Sequence, residues 1–355
     1  MRSEIYPYAI VPKLVPAIWG GHALVERFGK SGDPAAKIGE SWECWDDNAV
    51  ANGPLHGDTI ATLRERLKSD FVGNLDPERT FPILTKIIDA RDSLSVQVHP
   101  GDAYAQRVER QPNGKTECWY VLDAEPNAEL VLGWVRDTSR DEYERRVKDG
   151  TLGEILRRVP VQAGQTYYLP AGTLHAIGAG IVVFETQQAS DLTYRIFDWN
   201  RVDQAGKPRE LHVAKAGDVL DFHAGTTGPL QTIEYRRSGV PCTALVADRR
   251  FLVERLEITE STATFHTEAR PVILMALAGG VRLSTAHGSL ELRPYETALV
   301  PAAAGAYELV SGEGHTPVMA VTPPARGDAM QQRLELAGVA HERIDAFLQQ
   351  FAELR

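Results

Sequence analysis

The sequence predicts a mainly β protein with two jelly-roll β-barrel domains, short helical insertions and a C-terminal helix. Three observations carry that expectation. Short apolar or alternating runs recur along the chain, most of them punctuated by Gly, Pro, Asn or Asp, as in antiparallel sandwiches and barrels. At 355 residues the chain is longer than one compact core usually needs, so two domains are expected. A strand, Pro-Ala, turn, strand segment occurs twice, at 164–175 and 295–307.

The first set of strands is expected at 81–88, 94–98, 117–122, 130–134, 166–169, 181–186 and 192–197. Helices enter as inserts. One is expected over 59–70, with Asp58 or Thr59 as its N-cap. The segment 139–158 reads as two short helices broken at Gly150, with Ser139 as cap and Asp141 and Glu142 in the first turn. The stretch 207–229, rich in Gly, Ala, His and Asp, reads as a linker. A second β-rich stretch begins near Gln231, with strands at 251–258, 272–277, 281–284, 290–292, 297–300 and 318–321. The domains are therefore placed at 1–215 and 225–323, with a helical extension over 326–355. In that extension Ile344, Phe347, Leu348, Phe351 and Leu354 share one helical face. The face is expected to pack on the body of the protein or to form a dimer contact.

In the repeated segment the first copy carries His175 after its turn, whereas the second has Ala306 and Tyr307. This is the pattern of a duplicated barrel in which the N-terminal copy alone keeps a ligand. The net charge of −10 argues against general nucleic-acid binding, which needs clustered Lys and Arg, but not against a small anionic substrate held by local cations. Cys44, Cys118 and Cys242 are far apart and odd in number, so neither a disulfide framework nor a paired-cysteine metal site is expected. No apolar run is long enough to span a bilayer and the start does not read as a signal peptide. The expectation is a cytoplasmic protein, monomer or homodimer, with no nucleic-acid or membrane partner.

Four clusters carry chemistry. In the run 94–100, strand alternation puts Ser95, Gln97 and His99 on one face and Leu94, Val96 and Val98 on the other. In the run 114–120, Lys115, Glu117 and Trp119 share a face. His175 follows the Pro170-Ala171-Gly172 turn. Two imidazoles, a carboxylate and an amide oxygen from separate strands make a ligand set for zinc, iron, nickel or manganese; composition alone does not choose among them. In the fourth cluster, 184–201, a strand and a polar turn lead to Arg195, whose planar fork suits a phosphate or a surface salt bridge.

These clusters, together with the runs 18–21, 39–43, 50–55 and 81–86, resemble the cupin-type (class I) mannose-6-phosphate isomerases in their short bacterial form. The resemblance covers roughly the first two hundred residues closely and the C-terminal barrel loosely. It implies two cupin-like barrels, one Zn2+ per chain held by Gln97, His99, Glu117 and His175, and an active-site Arg195. It also implies Lys115 beside the glutamate ligand and Ser95 facing a substrate phosphate. The implied reaction interconverts mannose 6-phosphate and fructose 6-phosphate through a cis-enediol, with Lys115 as the candidate base and Glu185 or hydroxide on the metal as alternatives. Arg195 is then expected to hold the phosphate or the enediolate. Longer members carry an arginine where this chain has Ala189, and the tail beyond 324 extends past the usual short form. Competing readings are a metal-dependent cupin oxygenase, which would need neither Arg195 nor Lys115, and a non-catalytic sugar-phosphate-binding cupin.

Overall fold

A computed structural model describes residues 4–202, 206–323 and 328–351. Its strands form four sheets with antiparallel ladders. Two sheets come from the N-terminal half. The six-stranded one runs Lys13–Gly21, Ile38–Cys44, Ile83–Ala90, Ile181–Gln188, Glu117–Ala124, Thr166–Leu169, and the five-stranded one runs Tyr194–Phe197, Val96–Val98, His175–Ile177, Glu129–Trp134, Leu156–Pro160. The seven- and four-stranded sheets come from the strands between Ile233 and Thr322, with one exception. Tyr8–Ala9 pairs with Thr297–Val300, Tyr8 opposite Leu299, so the first strand of the chain lies in the sheet of the other half.

The six-stranded sheet is covered on both faces. Ile88, Trp119, Val121, Ile181 and Val183 face a cluster with Trp19, Leu130 and Ile177 from the N-terminal half. Their strand neighbours Ile87, Cys118, Tyr120, Val182 and Phe184 join a larger core shared with the C-terminal strands. Ile83–Ala90 and Ile181–Gln188 are therefore buried along their whole length, polar residues included.

Lys13–Gly21 and Ile38–Cys44 are absent from the sequence-based strand set. Pro16 and the glycines at 20, 21 and 39 interrupt their pattern. The glycines are required by packing, since a Cβ on Gly20 would lie 2.4 Å from the Gly39 nitrogen. The expected helix pair over 139–158 is corrected. One helix, Arg140–Asp149, is capped by Ser139, whose Oγ accepts from the Glu142 N–H, and ends at Gly150 with φ 72°. After a single 3-10 turn, Leu156–Pro160 is a strand paired with Glu129–Trp134, with Leu156 and Val159 buried and Arg158 outward. The expected helix over 59–70 is present as Ile60–Leu67, capped by Thr59, and Ser69–Val72, separated at Lys68 with φ 46°.

The tail forms helices Ala329–Leu336 and His341–Gln349. Ile344, Phe347 and Phe351 are buried within the chain, Phe351 lying edge-on to Tyr168 at 5.3 Å. Among the described residues the stripe packs within the chain, Leu348 being half-buried beside it; Leu354 lies outside the described residues. All three cysteines are free and buried. Among the described residues no helix is long and apolar enough to cross a membrane.

Candidate active site

Two rows of paired residues, one on each N-terminal sheet, build the site. In the five-stranded sheet Arg195, Gln97 and His175 are direct cross-strand partners. In the six-stranded sheet Lys86, Glu185 and Trp119 form the corresponding row. Such opposed positions bring side chains within reach on a common face. Glu117 lies two residues before Trp119 and so shares its face, as the alternation requires. The Trp119 ring lies edge-on to His175 at 5.4 Å. Leu94, expected with Val96 and Val98 on the outer face, instead joins the inner cluster. The regular strand begins only at Val96, so alternation does not extend back to Leu94.

His99, Glu117 and His175 are buried, and their ligand atoms lie within 4.8 Å of one another. The Nδ1 atoms lie 2.7 Å from the Leu192 carbonyl oxygen in His99 and 2.9 Å from the Thr173 carbonyl oxygen in His175. A carbonyl accepts only, so each Nδ1 donates and each Nε2 presents a lone pair inward. These atoms stand 3.6 Å and 3.3 Å from the two Glu117 oxygens. Both oxygens are buried and lack a well-formed hydrogen bond. Two inward lone pairs beside an undersatisfied carboxylate fit a bound cation. The Gln97 amide nitrogen lies 3.2 Å from His175 Nε2, and turning that amide over would bring its oxygen to the same place.

Lys115 Nζ is buried 2.6 Å from Glu117 Oε2 and 3.3 Å from His99 Nε2. Burial alone would pull Lys115 down, but Glu117 and Glu185 hold it above its ordinary value. Burial would likewise raise Glu117, yet Lys115 and His99 keep it well below the usual carboxylate range. Burial, then Lys115, pushes His99 down to about 3, so its ring is neutral at ordinary pH. Glu185 is pushed up to about 7, first by burial and then by the Glu117 charge.

Ser95, Gln97, Lys115 and Arg195 line one cavity of about 300 Å³. His99, Glu117 and His175 are buried beside it, each in contact with Lys115 or Gln97. Arg195 donates through Nη1 to the Glu210 carbonyl oxygen, while its buried Nε has no hydrogen-bond partner. The structure therefore gathers every residue singled out in the sequence around one space.

The phosphomannose isomerase type I catalytic-domain family matches residues 9–133. Bacillus subtilis mannose-6-phosphate isomerase ManA is 43% identical over 219 residues, which is 61% of this chain and 68% of that protein. A mannose-6-phosphate isomerase from Streptococcus mutans is 36% identical over 299 residues, 83% of this chain and 92% of that one. The chain belongs to the mannose-6-phosphate isomerase family. The fold agrees: a crystal structure of the Bacillus subtilis mannose 6-phosphate isomerase superposes with a TM-score of 0.81 at 33% identity, covering 89% of this chain and 99% of that one.

This member of the mannose-6-phosphate isomerase family lines its cavity with further groups that sequence reasoning did not single out as site residues. Lys86 Nζ is buried 3.1 Å from Glu40 and 3.6 Å from Glu185, and Trp119 Nε1 donates to Glu185 at 2.8 Å. A lysine inside a mostly apolar run was the available signal, because a buried charge needs a partner. Arg209 reaches the cavity from the linker, paired with Asp198, which Arg201 also binds. The linker itself folds back: His212 accepts from the Arg195 N–H at 3.2 Å and donates its own N–H to the Arg195 carbonyl oxygen at 2.7 Å. No sequence periodicity signals such a return.

Proposed function

We propose that this chain interconverts mannose 6-phosphate and fructose 6-phosphate, using a zinc ion held by His99, Glu117, His175 and Gln97. Residues 1–215, apart from the strand Tyr8–Ala9 that joins the other half's sheet, act as the catalytic cupin-like barrel, and residues 225–323 as a companion barrel without ligands. The observation that carries the reading is the buried His99–Glu117–His175 group beside a cavity lined by Lys115 and Arg195. His99, Glu117, His175 and Gln97 would hold a divalent cation, which would supply Lewis acidity for the sugar oxygens; with Glu117 engaged as a ligand, Lys115 would lose the anionic partner that keeps it protonated. Lys115 as the free amine removes the C2 proton of the open-chain aldose while charge moves onto O1. Protonation of O1 gives the cis-enediol. Return of the proton to C1, with loss of the O2 proton, leaves the C2 ketone. Arg195, with an unpartnered Nε, binds the phosphate, and Ser95 lies on the same wall. Arg209 adds positive charge at that end. Trp19 and Trp119 limit water around the carbons.

The deciding experiment is conversion of mannose 6-phosphate, read by appearance of fructose 6-phosphate, before and after chelation and with zinc added back. Activity that falls on chelation and returns with zinc is expected. A folded, zinc-loaded protein that leaves mannose 6-phosphate unchanged would overturn the assignment.

A further inference from the structure

The segment that carries Lys115 is braced from outside the cavity. Asp102 Oδ1 accepts from the Gly114 N–H at 2.8 Å and from Gln188 Nε2 at 2.9 Å. Gln188 Oε1 in turn accepts from the Thr116 N–H at 2.9 Å, and the Gln188 N–H donates to the Thr116 carbonyl oxygen at 3.1 Å. The Lys115 N–H itself donates to the Pro100 carbonyl oxygen at 3.0 Å. The backbone is thus fixed at Lys115 and on both sides of it. The approach is close: a Cβ on Gly114 would lie 2.4 Å from the Pro100 oxygen and 2.5 Å from the Gly101 carbonyl carbon. The other carboxylate oxygen of Asp102 faces the C-terminal half, 3.6 Å from Arg250 and 3.7 Å from Arg249. Those arginines sit in the turn between strands Val240–Ala247 and Leu252–Thr259.

We propose that Asp102, acting with Gln188, is a positioning residue for Lys115, and that the Arg249–Arg250 turn ties this brace to the C-terminal half of the protein. The proposal rests on the reading of Lys115 as the base. Asp102 touches neither the cavity nor the metal ligands, so it acts only through the backbone that aims the amine. Its leverage follows from the steep dependence of proton transfer on geometry, where a displacement of about 1 Å costs on the order of a hundredfold in rate.

The test is a cycle of four full-length, zinc-loaded proteins: the unaltered chain, Asp102→Ala, Lys115→Met, and the double variant. Asp102→Ala is expected to lower kcat by about tenfold or more, with KM within about threefold and zinc content unchanged. In the Lys115→Met background the same change is expected to leave kcat within about twofold, because no amine remains to be aimed. Asp102→Asn keeps an oxygen toward Gly114 and Gln188 and is expected to retain most of the rate. If Asp102→Ala does not fold, Gln188→Ala goes through the same cycle with the same expectation. An unchanged kcat in Asp102→Ala, or an equal loss with and without Lys115, would overturn the proposal. Near-normal turnover by Lys115→Met would remove the base assignment and this proposal together. A collapsed Lys115→Met beside an inert Asp102→Ala sinks the brace alone.

Discussion

Lys115 Nζ lies 2.6 Å from Glu117 Oε2, nearer to that carboxylate than either imidazole comes. The ammonium therefore already satisfies, in part, the buried anion that a metal ion would claim. Two expectations, one for each partner, come from this pairing.

Lys115→Met should leave the zinc content unchanged while kcat falls by about 10²–10⁴, the range for loss of a general base. Metal analysis alongside steady-state rates checks this. Turnover close to that of the unaltered chain would pass the base role to Glu185.

Glu117→Gln should weaken zinc binding and also destabilise the metal-free protein. It leaves Lys115 buried without its anion, a change that typically costs about 3–5 kcal/mol. Urea titrations of both metal-free proteins would read it. Equal midpoints would mean that Lys115 is not held by Glu117.

Arg195→Ala should raise KM for mannose 6-phosphate by about 10–100-fold, the equivalent of one hydrogen bond to a charged group. Little effect is expected on any slow turnover of unphosphorylated mannose. Arg195→Lys should recover only part of the loss, because the planar fork is gone. A KM unchanged in the alanine variant would place the phosphate elsewhere in the cavity.

Phe347→Ala should destabilise the protein by about 3–5 kcal/mol, as expected for a fully buried aromatic ring, with kcat per folded molecule unchanged. Thermal melts together with active-site titration separate the two. A marginal change in melting would mean that the tail helix adds little to the fold.

The site was legible wherever strands are regular. Period-two alternation correctly grouped Gln97 with His99 and Lys115 with Glu117, since both pairs sit on strands or their immediate approaches. It failed at Leu94, two residues before the regular strand begins, where the chain turns the side chain inward. It was silent for Lys86 and Glu40. Lys86 lies on a strand buried on both faces and Glu40 on one broken by glycines, so neither shows a polar face in sequence. The strand Leu156–Pro160 was hidden because Arg157 and Arg158 favour a helix as readily as a strand edge, and only its pairing with Glu129–Trp134 decides. Arg209 was hidden for another reason: it belongs to irregular chain, whose path is set by tertiary contacts.

The pairing of Tyr8 with Leu299 also sets an order of events during synthesis. The Tyr8–Ala9 strand is synthesised about 290 residues before its partner. At about 5–20 residues per second the wait is roughly 15–60 s. Through that interval the Tyr8–Ala9 strand lacks the strand it pairs with in the finished protein. A nascent chain stalled or cleaved at the linker would therefore present a sticky strand edge to chaperones and to other copies of itself.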